Sequence, residues 1–299
     1  MIMLRIIADS TCDISKEDAR KMGIQIVPIS VRFGDEEFLD GVEITHEEFY
    51  TRLAECDELP KTSQPSPDTF MKVFNEAVAA GDDVLGIFIS SDLSGTYQSA
   101  CLAALDVEEE TRKKLYMVDS RSASIGTALL IREAVKLRDA GVNVSDIAAA
   151  CTEMSKYIQL TAVVGSLKYL KMGGRLSGAA AFAGTMLHIT PVVSIEDGKV
   201  VVIGKTRGKK AAEKLMHDKL IKDGLSLTRD FMFGHINCSE SLETFINKSL
   251  TYISEVNGNV GVSSIGCSVG THVGPGTYGI AYVEAAESGM NRESIVKTA

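Results

Sequence analysis

Residues 84–100 read VLGIFISSDLSGTYQSA, and the way apolar and polar residues fall in this stretch decides the fold. Val84, Leu85, Ile87, Phe88 and Ile89 make a nearly continuous apolar run, as a strand buried on both faces does, and such strands are typical of parallel sheets. The run stops at Ser90, Ser91, Ser94 and Thr96, with Gly95 among them. The hydroxyls offer donors, the glycine lets backbone approach a ligand, and a helix starting there aims its first N–H groups at the same place. The turn suits a small anion. It equally suits a helix cap, the commoner use of Ser and Thr at such a place.

The same succession of strand, polar turn and helix recurs on either side. Upstream, Leu4 to Ala8 is a short strand followed by Asp9, Ser10, Thr11 and Asp13, and then by a helix from about Ser15. Downstream, Leu115 to Val118 ends in Asp119, Ser120 and Arg121 before a helix over about 122–140. Between these, Ile24 to Phe33 reads as one strand that turns at Gly34 and Asp35. Thr45 and Glu48 fit a capping box that opens a helix over 45–56, with His46 at its surface. Lys61 to Asp68 reads as a loop ending in Ser66 as N-cap and Pro67 at the first helical position. Alternation of this kind predicts a three-layer α/β/α domain with a mostly parallel sheet over residues 1–158. Ligands of such sheets bind beyond the carboxyl ends of the strands, where all of these hydroxyl-rich turns lie.

Residues 159–299 read differently, as a second α/β domain with a mixed sheet. Asp197-Gly198 between Pro191–Ile195 and Lys199–Ile203 signals a type I′ hairpin, which requires antiparallel pairing. Helices over about 209–222 and 241–256 alternate with strands over 161–164, 231–236, 261–266 and 279–283. Gly178 to Leu187 reads as an apolar helical segment, and the tail from Glu287 is polar enough to fray.

Composition narrows the function. The chain has 299 residues, a net charge of -9 and no basic stripe beyond the short segment Lys205 to Lys210, which argues against a general nucleic-acid binder. Six cysteines are scattered without a CxxC pair, and five histidines show no metal-ligand spacing, so reduced thiols and no metal are expected. The first ten residues are apolar over too short a run for a signal peptide, and Ala179 to Ile195 is too broken to span a membrane. A cytoplasmic location is expected. Walker A, GxSxG and HExxH sequences are missing, and the GxGxxG match at Gly274, Gly276 and Gly279 precedes a strand pattern instead of a helix.

Seven segments in chain order resemble one family. They are Asp9-Ser10-Thr11-Cys12-Asp13, Thr62-Ser63-Gln64-Pro65-Ser66, Ser94-Gly95-Thr96-Tyr97, Val118-Asp119-Ser120, Gly173-Gly174-Arg175-Leu176-Ser177, Thr206-Arg207 and His272-Val273-Gly274-Pro275-Gly276. Together they look like the motif series of the DegV family, the fatty-acid-binding proteins also called FakB. The resemblance implies two α/β domains holding one long-chain fatty acid between them and no other cofactor. It implies no catalytic residue either. A separate fatty acid kinase, the ATP-binding partner, would phosphorylate the bound carboxylate to an acyl phosphate for phospholipid synthesis. Carried over, Thr62 and Ser94 hydrogen-bond the carboxylate and His272, read as a residue of a glycine loop, completes the head-group network. Arg207 faces the head group or the kinase, and Ser63, Gly95, Thr96, Gly174 and Arg175 are additional candidates. Phe182, Met186, Leu187 and Ile189 are candidate walls for the acyl chain. A monomer is expected. The alternative is a small-molecule phosphotransferase related to dihydroxyacetone kinase subunits, against which stand the missing phosphate loop and the lack of a nucleophile and base pair.

Overall fold

A computed structural model describes residues 3–178, 189–226, 228–253 and 258–285. The chain divides into two compact units: Met1–Lys156 with Gly266–Val269, and Tyr157–Ile265 with Gly270–Ala299. The first unit therefore takes in four residues from far down the chain, where an uninterrupted division at residue 158 is expected.

In the first unit, β1 (Leu4–Asp9) runs through a single 3₁₀ turn, Ser10–Cys12, into α1 (Lys16–Met22) and β2 (Ile24–Val27). Then come β3 (Ser30–Phe33), β4 (Glu36–Leu39), α2 (His46–Glu55), β5 (Lys61–Ser63), α3 (Pro67–Ala79) and β6 (Asp83–Phe88). α4 (Thr96–Thr111), β7 (Tyr116–Asp119), α5 (Ile125–Asp139) and α6 (Val144–Met154) complete it. The main sheet has the order β2-β1-β6-β7, and all three of its pairings are parallel. Side chains alternate between faces along a strand. Ile7, Val84 and Phe88 accordingly pack with Phe70 and Phe74 of α3 and Ala100, Ala103 and Val107 of α4, while α5 and α6 contact the strands as well.

The reading of Ile24 to Phe33 as one strand is corrected. Pro28, which lacks an N–H for a ladder, separates β2 from β3, and β3 joins a three-stranded antiparallel sheet of order β4-β3-β5. Lys61 to Ser63 is likewise a strand, with Val31 opposite Thr62 and Ser30 opposite Ser63. The caps are as expected: Ser15 accepts from Asp18 N, Thr45 and Glu48 form a capping box, and Ser66 accepts from Thr69 N ahead of Pro67.

The second unit contains β8 (Ile158–Val163), α7 (Lys168–Met172), β9 (Thr190–Glu196), β10 (Lys199–Thr206), α8 (Lys209–Asp223), β11 (Phe231–His235), α9 (Ser239–Tyr252), β12 (Val260–Ser264) and β13 (Tyr278–Val283). Between β12 and β13 runs α10 (Cys267–Val273), whose first residues belong to the first unit. The sheet order is β10-β9-β8-β13-β11-β12, antiparallel except for the β11–β12 pair. At the β9–β10 hairpin Asp197 and Gly198 have φ of 47° and 79°, the two positive values that a type I′ turn requires. Phe231, Phe233, Tyr278, Ile280 and Tyr282 form a core with Ala212, Met216 and Leu220 of α8 and Leu242 and Phe245 of α9. The expected helical segment 178–187 and the polar tail lie outside the described residues, apart from Gly178. Among the described residues, no helix is long and apolar enough to cross a membrane.

Candidate functional site

In the main sheet of the first unit, β1 leads to β2 on one side while β6 and β7 lie on the other, so the switch point falls between β1 and β6. Open α/β sheets commonly bind ligands there. Here Asp9 occupies it. Its carboxylate accepts from Ile89 N at 3.0 Å, from Thr11 N at 2.9 Å and from the Thr11 hydroxyl. The side chain is fully buried, and burial pushes its pKa up against these hydrogen bonds. Asp119 similarly accepts from Arg121 N at 2.8 Å. Asp119 also accepts from Ser91 N at 3.3 Å, so the two acids at the strand ends brace the beginning of the turn between β6 and α4.

That turn is built from its own hydroxyls. Leu93 N and Ser94 N donate to Ser90 O at 3.0 and 3.1 Å. Ser94 Oγ lies 2.9 Å from Thr96 Oγ1 and accepts from Thr96 N at 3.3 Å. The N-cap of α4 is Gly95, and no side chain makes the cap hydrogen bond. The helix start is instead served by Ser94, whose Oγ takes the first N–H of α4. The loop after β5 is tied to the same place, because Ser99 Oγ donates to Pro65 O at 2.6 Å. A Cβ on Gly95 would fall 2.2 Å from Gln64 Oε1, so the missing side chain is what lets the Gln64 amide lie there. Within the first unit the fold thus brings the Thr62–Pro65 and Ser94–Thr96 segments together. Thr62 and Ser94 are half-buried, Ser63 is exposed and Thr96 is fully buried.

In the second unit, His272 stands in the last turn of α10 and not in a glycine loop. A Cβ on Gly173 would fall 2.3 Å from His272 Nδ1, and one on Gly274 would fall 2.2 Å from the Tyr169 ring. Gly274 has φ of 76° as well, so both geometry and space select glycine. These close approaches bring the Gly173–Ser177 segment, α7 and the end of α10 into one cluster. Arg175 Nη1 donates to Gly173 O at 2.6 Å, while Gly174, with φ of 70°, is exposed. Tyr169 carried no signal in the sequence. Arg207 is exposed in the bend between β10 and α8. Of the candidate wall, Ile189 is half-buried and Phe182, Met186 and Leu187 lie outside the described residues.

Burial, with the Arg175 charge adding to it, lowers the His272 pKa to about 4. At neutral pH the ring is uncharged and offers one N–H donor and one acceptor. An unfolded histidine takes up its proton near pH 6.5. Between pH 6.5 and 4 the unfolded chain therefore binds more protons, and the stability that His272 contributes above that window is lost as pH falls through it. In His272→Gln the urea midpoint should fall less steeply from pH 7 to pH 4 than in the native protein. An unchanged slope would place the proton uptake elsewhere.

Asp40, after β4, accepts from Cys267 N at 3.1 Å, Ser268 N at 3.0 Å and Ser10 Oγ at 3.1 Å. Asp13 accepts from Gly266 N at 2.8 Å and from the Ser124 hydroxyl. Burial, the Asp40 charge and a hydrogen bond to that carboxylate push the Cys267 thiol far above its ordinary range. The two carboxylates explain why Gly266–Val269 belongs to the first unit.

The sequence profile of the DegV family, described as uncharacterised proteins, matches residues 3–285. A DegV domain-containing protein of Clostridium perfringens is 34% identical over 293 residues, covering 95% of this chain and 99% of its own. Among solved structures, a fatty-acid-binding DegV family protein from Thermus thermophilus is similar with a TM-score of 0.84 and 31% identity, covering 94% of this chain and 100% of the other. A stearic-acid-binding protein from Eubacterium ventriosum is similar with a TM-score of 0.84 and 30% identity, covering 96% and 100%. With the family profile spanning nearly the whole chain and the fold repeated throughout its length, the chain belongs to the DegV family.

Proposed function

We propose that this protein binds one long-chain fatty acid and presents its carboxylate to a separate fatty acid kinase. In this reading Thr62, Ser94 and the neutral His272 ring are assigned hydrogen bonds to the carboxylate, and Ser63, Gly95, Thr96, Gly174 and Arg175 are further candidates. The observation that carries it is the hydroxyl turn at the start of α4, packed against the segment after β5. Supporting it, the similar proteins of Thermus thermophilus and Eubacterium ventriosum bind fatty acids.

A carboxylate accepts several hydrogen bonds, and bonds to a charged acceptor are roughly twice as strong as neutral ones. The acyl chain supplies most of the affinity at about 0.8 kcal/mol per buried methylene. Two consequences separate head from tail in a titration of the purified protein. Shortening a saturated fatty acid by two carbons should weaken binding about 10-fold, and the methyl ester of oleate should bind far more weakly than oleate. Equal binding of acid and ester would remove the carboxylate cradle from the account.

Arg207, exposed at the end of β10, is assigned to the encounter with the kinase. A charge at the rim of an interface acts mainly on association. Arg207→Ala should therefore retain its lipid while acyl phosphate forms roughly 3- to 10-fold more slowly with kinase and ATP. Lost lipid with normal coupling would move Arg207 to the head group. ATP turnover by this protein alone would instead favour a phosphotransferase.

A further inference from the structure

We propose that Asp40, His46 and Cys267 form a binding site for a divalent transition-metal ion of the zinc class, separate from the fatty-acid site. One donor atom from each of the three lies within 4.8 Å of the others. They come from three places in the chain, the residue after β4, the first residue of α2 and the first residue of α10, so spacing along the sequence hides them. A carboxylate oxygen, an imidazole nitrogen and a thiolate sulfur form a donor set that zinc accepts.

The surroundings resemble those of a ligand-holding site. Asp40 is turned by hydrogen bonds from Cys267 N, Ser268 N and Ser10 Oγ, and such outer partners orient metal-binding carboxylates. Two backbone N–H groups and a hydroxyl take three of the roughly four acceptor positions of the carboxylate, and the Cys267 thiol donates to it as well, a hydrogen bond that an ion bound between the two would replace. Tyr50 donates its hydroxyl to Gly266 O at 3.2 Å, fixing the peptide that precedes Cys267. Gly266 keeps the space open, because a Cβ there would fall 3.0 Å from Asp13 Oδ1, 3.1 Å from His46 Nε2 and 3.5 Å from Asp40 Oδ1. Asp40 and Cys267 are buried while His46 is half-buried, so the imidazole marks the side of entry.

A tetrahedral zinc with bonds of about 2.0–2.3 Å places its ligand atoms about 3.3–3.8 Å apart. The trio therefore closes by side-chain movements of ~1 Å. Binding replaces the thiol proton: the S–H bond breaks, a sulfur–metal bond forms and one proton goes to solvent. Nothing is oxidised or reduced. Water would fill the fourth position, as in other zinc sites with three protein ligands.

The test is titration of chelator-treated, reduced native protein with Co²⁺ alone, read by absorption. One equivalent should produce a thiolate-to-cobalt charge-transfer band in the near ultraviolet, and Zn²⁺ should abolish it. The band should vanish in Cys267→Ser and in His46→Gln and persist in Cys56→Ser. His46→Gln changes a half-buried helix-start residue, so it decides the matter even if Cys267→Ser fails to fold. No band in the native protein, or a band retained in either ligand variant, overturns the site. These results do not depend on whether the protein binds a fatty acid.

Discussion

Replacing Ser94 by alanine is expected to weaken oleate binding ~10- to 100-fold, because a hydrogen bond to a charged group contributes about 1.5–3 kcal/mol. The hydroxyl sits one residue before Gly95, the N-cap of α4. Part of its hydrogen bonding is spent locally, on Thr96 N and Thr96 Oγ1. Truncation therefore also disturbs the turn. The two effects part in a paired experiment, oleate titration beside thermal unfolding of the lipid-free protein. A loss of affinity much larger than the loss of stability is the expected pattern. Affinity within about twofold of the native value would take Ser94 out of the head-group contact, since such a change is smaller than one hydrogen bond.

The largest effect on stability is expected from Asp40→Ala. This carboxylate accepts from two backbone N–H groups at the start of α10 and from Ser10 Oγ, and the side chain is buried at 4% exposure. Ser10 Oγ in turn accepts from Ile29 N at 3.1 Å, so one substitution loosens three segments. Each buried donor left without an acceptor costs about 1–3 kcal/mol. A net loss of about 2–4 kcal/mol is expected, which for a unit of this size lowers Tm by roughly 5–12 °C. Circular dichroism with chelator present measures it free of any metal contribution. A Tm within about 1 °C of the native protein, well below the loss of one buried bond, would show that the start of α10 is held by other contacts.

Much of the fold was legible because its signals are local. The apolar run 84–89, the Thr45–Glu48 capping box, the Ser66-Pro67 start and the Asp197-Gly198 turn each specify their element within a few residues. What was misread depends on distant partners. Lys61–Ser63 is too short and polar to show a period of two, and it is a strand only because β3 lies beside it. α10 has seven residues, including Gly270 and the β-branched Val269, Thr271 and Val273, which are poor helix formers. Its acidic partner, Asp40, stands 227 residues earlier. His272 was found through the resemblance, yet its place on a helix was not, for the same reason.

The site shows a similar division. Ser94, Gly95 and Thr96 were visible as a turn, since hydroxyls and a glycine interrupt an apolar run. That Gly95 makes room for the Gln64 side chain, and Gly274 for the Tyr169 ring, needed coordinates. The Asp9 carboxylate bonded to Ile89 N, 80 residues away, could not be read from a string either.

The central claim, that this chain carries a long-chain fatty acid, is tested most directly by mass spectrometry of the lipid released when the purified protein is denatured. One equivalent of a long-chain fatty acid, present as isolated or acquired after incubation with oleate or palmitate, is the result predicted. Protein that releases no fatty acid even after that incubation would contradict the claim.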